Sequence, residues 1–171
     1  MTALSPTPAW TATISSDNRS NGVSVGFSPS GTAIATIVAA IDSASQRISV
    51  AAYAFTSKKV AAALTRAHLR GITVQLVADK KAASDKYTAV TFLANKGVAV
   101  RLNNRYAIMH NKFMVIDGRT VQTGSFNYSN SADRRNAENV LVLWNAPEVA
   151  NEYQKEFERL WQEGQPLAKA Y

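Results

Sequence analysis

The sequence predicts an α/β fold: one domain built on a mixed, largely parallel β-sheet with helices on both faces. Three observations carry that expectation. Strand-like and helix-like segments alternate through residues 22–103, one of the strand segments is apolar enough to be buried on both faces, and the pattern then changes to a hairpin, a further strand and a long amphipathic helix. The alternation implies right-handed crossovers between parallel strands.

Each element has a local cause. In "NGVSVGFSPSG", Val23, Val25 and Phe27 alternate before Pro29, which predicts a strand ending in a turn. Ser30 is placed to cap a helix running to Asp42, with Ile34, Ile37, Val38 and Ile41 at helical spacing. "RISVAAYAF" is apolar enough for a strand buried on both faces. Thr56 or Ser57 opens the helix "KKVAAALTRAHLR", which Gly71 stops. "ITVQLVAD" is a third strand, "SDKYTAVTFLANKG" a third helix and "VAVRLN" a fourth strand. "KFMVIDGRTVQTGS" predicts a hairpin turning at Asp117-Gly118, "NVLVLW" another strand, and "PEVANEYQKEFERLWQEG" a closing helix with Pro147 in its first turn.

Composition restricts what this fold does. The 171 residues suffice for one domain, expected over 22–171, behind a flexible lead-in at 1–21. The 19 Lys and Arg outnumber 12 Asp and Glu, and the net charge of +7 favours polyanionic partners such as nucleic acid or anionic lipid. With no cysteine, disulfides, zinc-thiolate sites and cysteine nucleophiles are excluded, and two well-separated histidines argue against a histidine metal cage. No segment has the roughly 18 uninterrupted apolar residues of a membrane span.

The chemistry concentrates in "MHNKFMVIDGRTVQTGSFNYSNSADRRNAEN", residues 109–139. Taken singly, Asp117 is a turn residue, Lys112 a solvated strand residue and His110 an interior histidine. Taken together they describe a site. If His110 and Lys112 share a strand face they stand about 6.6–6.8 Å apart along the backbone. An imidazole that attacks phosphorus or moves a proton then lies beside a fixed positive charge, an arrangement suited to an anionic phosphodiester. Ser125 and Asn127 leave the partner strand and are expected on the same side.

His110-x-Lys112-x-x-x-x-Asp117, followed by Gly124-Ser125-x-Asn127, resembles the signature of the phospholipase D superfamily. "VGFSPSG", "AIDSASQRISVAAYAFTS", "RGITVQLVAD", "TGSFNYS" and "AENVLVLWN" extend the resemblance, from about residue 22 onward, to a branch of small bacterial endonucleases with a single motif. The resemblance implies that His110 is a nucleophile forming a covalent phosphohistidine. It implies that Lys112 and Asn127 grip non-bridging phosphate oxygens, that Ser125 supports the site, and that Glu138 hydrogen-bonds the histidine. Asp117 is expected to hold the hairpin, and Gly124 to serve as a structural part of the motif.

Two-step displacement also needs an acid for the leaving alcohol and a base for water. His68, the other histidine, lies near the end of a predicted helix with no motif around it. A homodimer with both His110 side chains in one site is therefore expected. Lysine and asparagine take the place of metal ions in neutralising charge, so neither metal nor cofactor is expected. DNA, and RNA as a second substrate, fits the charge and the resemblance, with Lys80, Lys81, Lys86, Arg101, Arg105, Arg134 and Arg135 as candidate phosphate contacts. A lipid phosphodiesterase on the same core, or a non-catalytic nucleic-acid-binding protein, are the alternatives. The resemblance also implies a periplasmic or secreted enzyme.

Overall fold

A computed structural model describes residues 22–84 and 88–169; the lead-in at 1–21 and the candidate contact Lys86 lie outside them. Eight strands form one sheet in the order β1-β7-β6-β5-β2-β3-β4-β8. They are β1 (Gly22–Ser28), β2 (Arg47–Ala52), β3 (Thr73–Asp79), β4 (Ala99–Asn103), β5 (Lys112–Ile116), β6 (Thr120–Gly124), β7 (Glu138–Trp144) and β8 (Gln165–Pro166). The helices are α1 (Thr32–Asp42), α2 (Lys58–Leu69), α3 (Ala89–Asn95), α4 (Asn130–Arg134) and α5 (Pro147–Glu163), with a 3₁₀ turn at Lys80–Ala83.

Apolar periodicity explains the layers. Ala33, Ile34, Ile37, Ala40 and Ile41 of α1 and Val60, Ala61, Ala63, Leu64 and Ala67 of α2 are buried with the residues of α3 on one face of the sheet. Ala150, Phe157 and Leu160 of α5 pack on the opposite face against Ala51, Val77, Phe113, Val115 and Val121. β2 is buried on both faces from Ile48 to Ala52 because it lies mid-sheet between these layers. The Ser57 hydroxyl accepts the Val60 N–H and caps α2. Ser30 does not cap α1: its hydroxyl donates to the Phe27 carbonyl at 2.8 Å, and Gly31, in the left-handed region at φ 85°, occupies the cap position.

The sheet is mixed, but the expected parallel character holds for strand direction rather than pairing. Only β2·β3 and β3·β4 are parallel neighbours. β1 runs in the same sense as β2 yet pairs antiparallel with β7, because the β5–β6 hairpin and β7 are inserted between β1 and β2. One consequence positions everything functional. The C-terminal ends of β1, β2, β3, β4 and β6 and the N-terminal ends of β5 and β7 lie along a single edge of the sheet, as the pairs Ser28↔Glu138, Gly124↔Val140 and Ala52↔Lys112 show.

Asp117 fixes this arrangement from the other edge. The hairpin turns through Asp117 and Gly118, at φ 52° and 65°, closed by the Arg119 N–H on the Ile116 carbonyl. The Asp117 carboxylate accepts the backbone N–H groups of Ser45, Gln46 and Arg47 and the Ser45 hydroxyl, all at 2.8–2.9 Å. Partial burial pushes its carboxyl up, but the donors at Arg47, Ser45 and Gln46 outweigh that and hold it below the usual carboxylate range.

A depressed carboxyl stabilises the fold fully above its unfolded-state value, and that contribution is lost as the pH falls through the folded-state value. Asp117→Asn should therefore lower stability at neutral pH by roughly 2 kcal/mol. In urea titrations run across pH, the gap to wild type should stay constant near neutrality and close below about pH 4. A gap independent of pH would contradict the role given to the charge.

Candidate active site

His110 is exposed and lies in the segment that leads into β5, two residues before the strand's first residue, Lys112. The shared strand face expected from sequence is thus replaced by direct contact. Lys112 Nζ donates to the His110 carbonyl at 2.7 Å and stands 3.1 Å from ring Nδ1 and 3.4 Å from Nε2. An ammonium offers only donors, so the ring nitrogen it faces is an acceptor. The Tyr53 ring, just beyond the end of β2, packs against the imidazole with centroids 4.7 Å apart and lies 5.8 Å from Lys112 Nζ. Sequence reasoning missed Tyr53, whose only signal was an aromatic closing an apolar strand.

β6 and the residues after it supply the neighbouring groups. Gly124 sits at φ 148°, and a Cβ there would fall 2.3 Å from the Asn139 carbonyl oxygen, so no side chain fits where β6 crosses against β7. Beyond it, Phe126 and Tyr128 are buried while Ser125 is exposed and Asn127 half-buried. Tyr128 anchors the run: its hydroxyl donates to Gln122 Oε1 at 2.7 Å, and its carbonyl accepts the N–H groups of Thr56 and Ser57. Asn127 Oδ1 is buried without a hydrogen-bond partner, an unfilled acceptor behind the edge.

Glu138 opens β7 on the same edge. Its carboxylate accepts the Ser125 hydroxyl at 2.5 Å and the Asn136 amide at 2.9 Å. The expected bond to His110 is therefore not the one its oxygens make; Glu138 acts on the site through Ser125 and through its charge on Lys112. Burial pulls the Lys112 ammonium below its ordinary value, and the negative charge of Glu138 offsets part of that.

The structure separates the candidate cations. Lys80 and Lys81 are exposed on the 3₁₀ turn after β3, Arg105 is exposed in the segment approaching His110, and Arg134 and Arg135 are exposed at the end of α4, between Asn127 and Glu138. Arg101 is committed elsewhere: it donates to the Trp161 carbonyl at 2.8 Å and lies 4.8 Å over the Trp161 ring, joining β4 to α5. Among the described residues, no three His, Cys, Asp or Glu side chains cluster to hold a metal, and no helix is long and apolar enough to cross a membrane. His68 lies near the C-terminal end of α2, a helix about 18 Å long that carries the chain away from the site edge.

A family model described as a cardiolipin synthase, PLD-like domain, matches residues 37–161, which include His110, Lys112, Asp117, Ser125, Asn127 and Glu138. The chain belongs to the phospholipase D superfamily. Within it, the chain is 36% identical over 130 residues to a phospholipase D of Rickettsia prowazekii, covering 76% of this chain and 63% of that protein. It is 34% identical over 125 residues to a mitochondrial cardiolipin hydrolase of Xenopus tropicalis, covering 73% and 59%. It thus spans about three fifths of the length of these curated relatives. Among solved structures it resembles the phospholipase D family member Nuc of Salmonella typhimurium, with a TM-score of 0.84, 35% identity, and coverage of 86% of this chain and 99% of that one. NucT of Helicobacter pylori shares the fold at TM-score 0.75 and 23% identity, with coverage of 86% and 99%.

The Glu138 charge on Lys112 gives a testable sign. Glu138→Gln removes the influence that raises the Lys112 value, so the ammonium should lose its proton at lower pH. The alkaline limb of the pH–rate profile on a soluble phosphodiester should shift to lower pH in the variant. An unmoved or raised limb would separate Glu138 from Lys112.

Proposed function

We propose that this protein is a metal-independent, sequence-nonspecific endonuclease that hydrolyses DNA, and RNA as a second substrate, through a phosphohistidine on His110. The observation that carries this is the exposed His110 imidazole with Lys112 Nζ 3.1 Å from its ring, on the same sheet edge as Ser125, Asn127 and Glu138. In the first step a ring nitrogen of His110 attacks phosphorus, the N–P bond forms and the P–O bond to the leaving alkoxide breaks. Lys112 and the Asn127 amide bind the non-bridging oxygens as charge develops. In the second step water attacks phosphorus, its proton passes to a base, and the P–N bond breaks to regenerate His110.

The acid and base in this scheme are the same missing group. With His68 directed away, we assign it to His110 of a second copy related by a two-fold axis. The surface beside the site supports an interface. Val23, Val25 and Phe27 of edge strand β1 are 55%, 46% and 56% exposed, next to half-buried Leu141 and Leu143 of β7, an apolar face of the kind that marks association.

Nucleic acid is favoured over lipid by the net charge of +7 and by the exposed Lys80, Lys81, Arg105, Arg134 and Arg135 along the site edge. A sequence-nonspecific nuclease is harmless to its own chromosome outside the cytoplasm, which supports placing it in the periplasm or among secreted proteins.

The deciding assay incubates plasmid DNA, and in parallel phosphatidylcholine and cardiolipin vesicles, with wild type and His110→Ala in excess chelator. Wild type should nick and linearise plasmid in chelator, and His110→Ala should fall by at least about a thousandfold while still binding DNA. Cleavage that vanishes in chelator and returns with magnesium would overturn the mechanism. Hydrolysis of the lipids with no cleavage of DNA would transfer the site to the lipid class, and functions untouched by His110→Ala would indicate a binding protein.

A further inference from the structure

β3 ends in a carboxylate that the chemistry above does not use. Asp79 is 2% exposed, and its two oxygens accept backbone N–H groups rather than facing a cation: Oδ1 takes Lys81 N–H at 2.9 Å and Oδ2 takes Met109 N–H at 2.7 Å. Among the described residues no Lys, Arg or His pairs with it. Burying an ionised carboxylate is costly unless strong hydrogen bonds compensate, and a bond of 2.7 Å to a buried N–H is such a bond. The N–H it holds belongs to the residue immediately before His110.

His110 needs an outside restraint, because it precedes β5 and no strand ladder fixes it. Four contacts hold it in place of a ladder. On its N-terminal side Met109 is pinned twice, through its N–H on Asp79 and through its side chain, 2% exposed in the cluster with Ala51, Val77 and Phe113. On its C-terminal side Lys112 Nζ grips the His110 carbonyl. The ring itself packs on Tyr53. Of these, the Asp79 bond crosses from β3, a central strand of the sheet, to the chain segment that carries the imidazole. The acceptor at the end of a buried strand thus ties the segment carrying the reactive residue to the interior of the sheet.

We propose that Asp79 is a positioning residue that sets His110 for in-line attack, acting through the Met109 N–H. The proposal rests on His110 being the nucleophile. An asparagine in its place offers one acceptor oxygen for two N–H groups and turns a donor toward the other, so the segment before His110 is released while the strand remains.

The test uses bis(p-nitrophenyl) phosphate, which needs neither a nucleic-acid nor a lipid site, with Asp79→Asn, Asp79→Ala and the remote core variant Val90→Ala as a stability control. The chain has two histidines, so the imidazole carbon-bound proton resonances of His110 and His68 are assigned by substituting His110 alone. Folded Asp79→Asn should lose roughly 10- to 100-fold in kcat with KM within about twofold, because a small misplacement of a reacting group costs rate rather than binding. Its His110 resonance should move or broaden while that of His68 stays, and Val90→Ala should keep its kcat despite a lowered melting temperature.

A kcat within twofold of wild type in folded Asp79→Asn, or a loss no greater than in a control of equal melting temperature, would overturn the proposal. So would an unchanged His110 resonance in both Asp79 variants. Failure of the underlying reading looks different: wild type and His110→Ala would then hydrolyse the ester equally, while the His110 resonance would still report whether Asp79 positions the ring.

Discussion

The grip of the Asp117 carboxylate on the N–H groups of Ser45, Gln46 and Arg47 is the constraint on which the rest of the site depends. It ties the turn of the β5–β6 hairpin to the chain entering β2, and so sets the register in which Ile48 faces Ile116 and Ala52 faces Lys112. A slip by one residue would exchange the buried faces of β5, moving Phe113 and Val115 out of the cluster under α5. Four hydrogen bonds at one end of the sheet therefore determine where Lys112 stands at the other.

From that register the site follows by strand geometry. β6 returns from the turn to Gly124, where contact with the Asn139 carbonyl leaves no room for a side chain, and the chain then alternates Ser125 and Asn127 outward with Phe126 and Tyr128 inward. β7 starts at Glu138, which binds Ser125 and bears on Lys112 through its charge. The result is one imidazole, one ammonium, one amide and a carboxylate–hydroxyl pair on an open edge. These are the groups that the proposed attack on a phosphodiester uses. His68, the other histidine of the sequence, lies near the far end of α2, so the proposed chemistry takes the proton for its leaving group from a second copy.

Much of this was legible in the sequence because local rules produced it. The apolar spacing of α1, α2 and α5, the Ser57 cap, the Asp117-Gly118 turn and the scaffold role of Asp117 all follow from nearby residues. What was not legible depends on long-range pairing. Nothing near Val23 announces that β1 lies antiparallel to β7, whose partners run from Glu138 opposite Ser28 to Trp144 opposite Gly22, or that its apolar stripe faces outward. Ser30 does not act as the cap its position suggests because its hydroxyl finds the Phe27 carbonyl instead. Arg101 was expected at phosphate, yet the Trp161 ring and carbonyl claim it from α5. Tyr53 and Asp79 looked like strand-end residues and became neighbours of His110 only once β2, β3 and β5 lay side by side.

The central claim, that this site is one half of a shared catalytic centre, is tested most directly by mixing chains. Wild type and His110→Asn are unfolded together in equal amounts, refolded, and assayed for plasmid cleavage against the same mass of refolded wild type. A site that needs both histidines leaves only the wild-type pairs active, so the mixture should retain about a quarter of the activity. Independent sites would retain about a half, and that result, or full activity in a strictly monomeric fraction on sedimentation, would contradict the account.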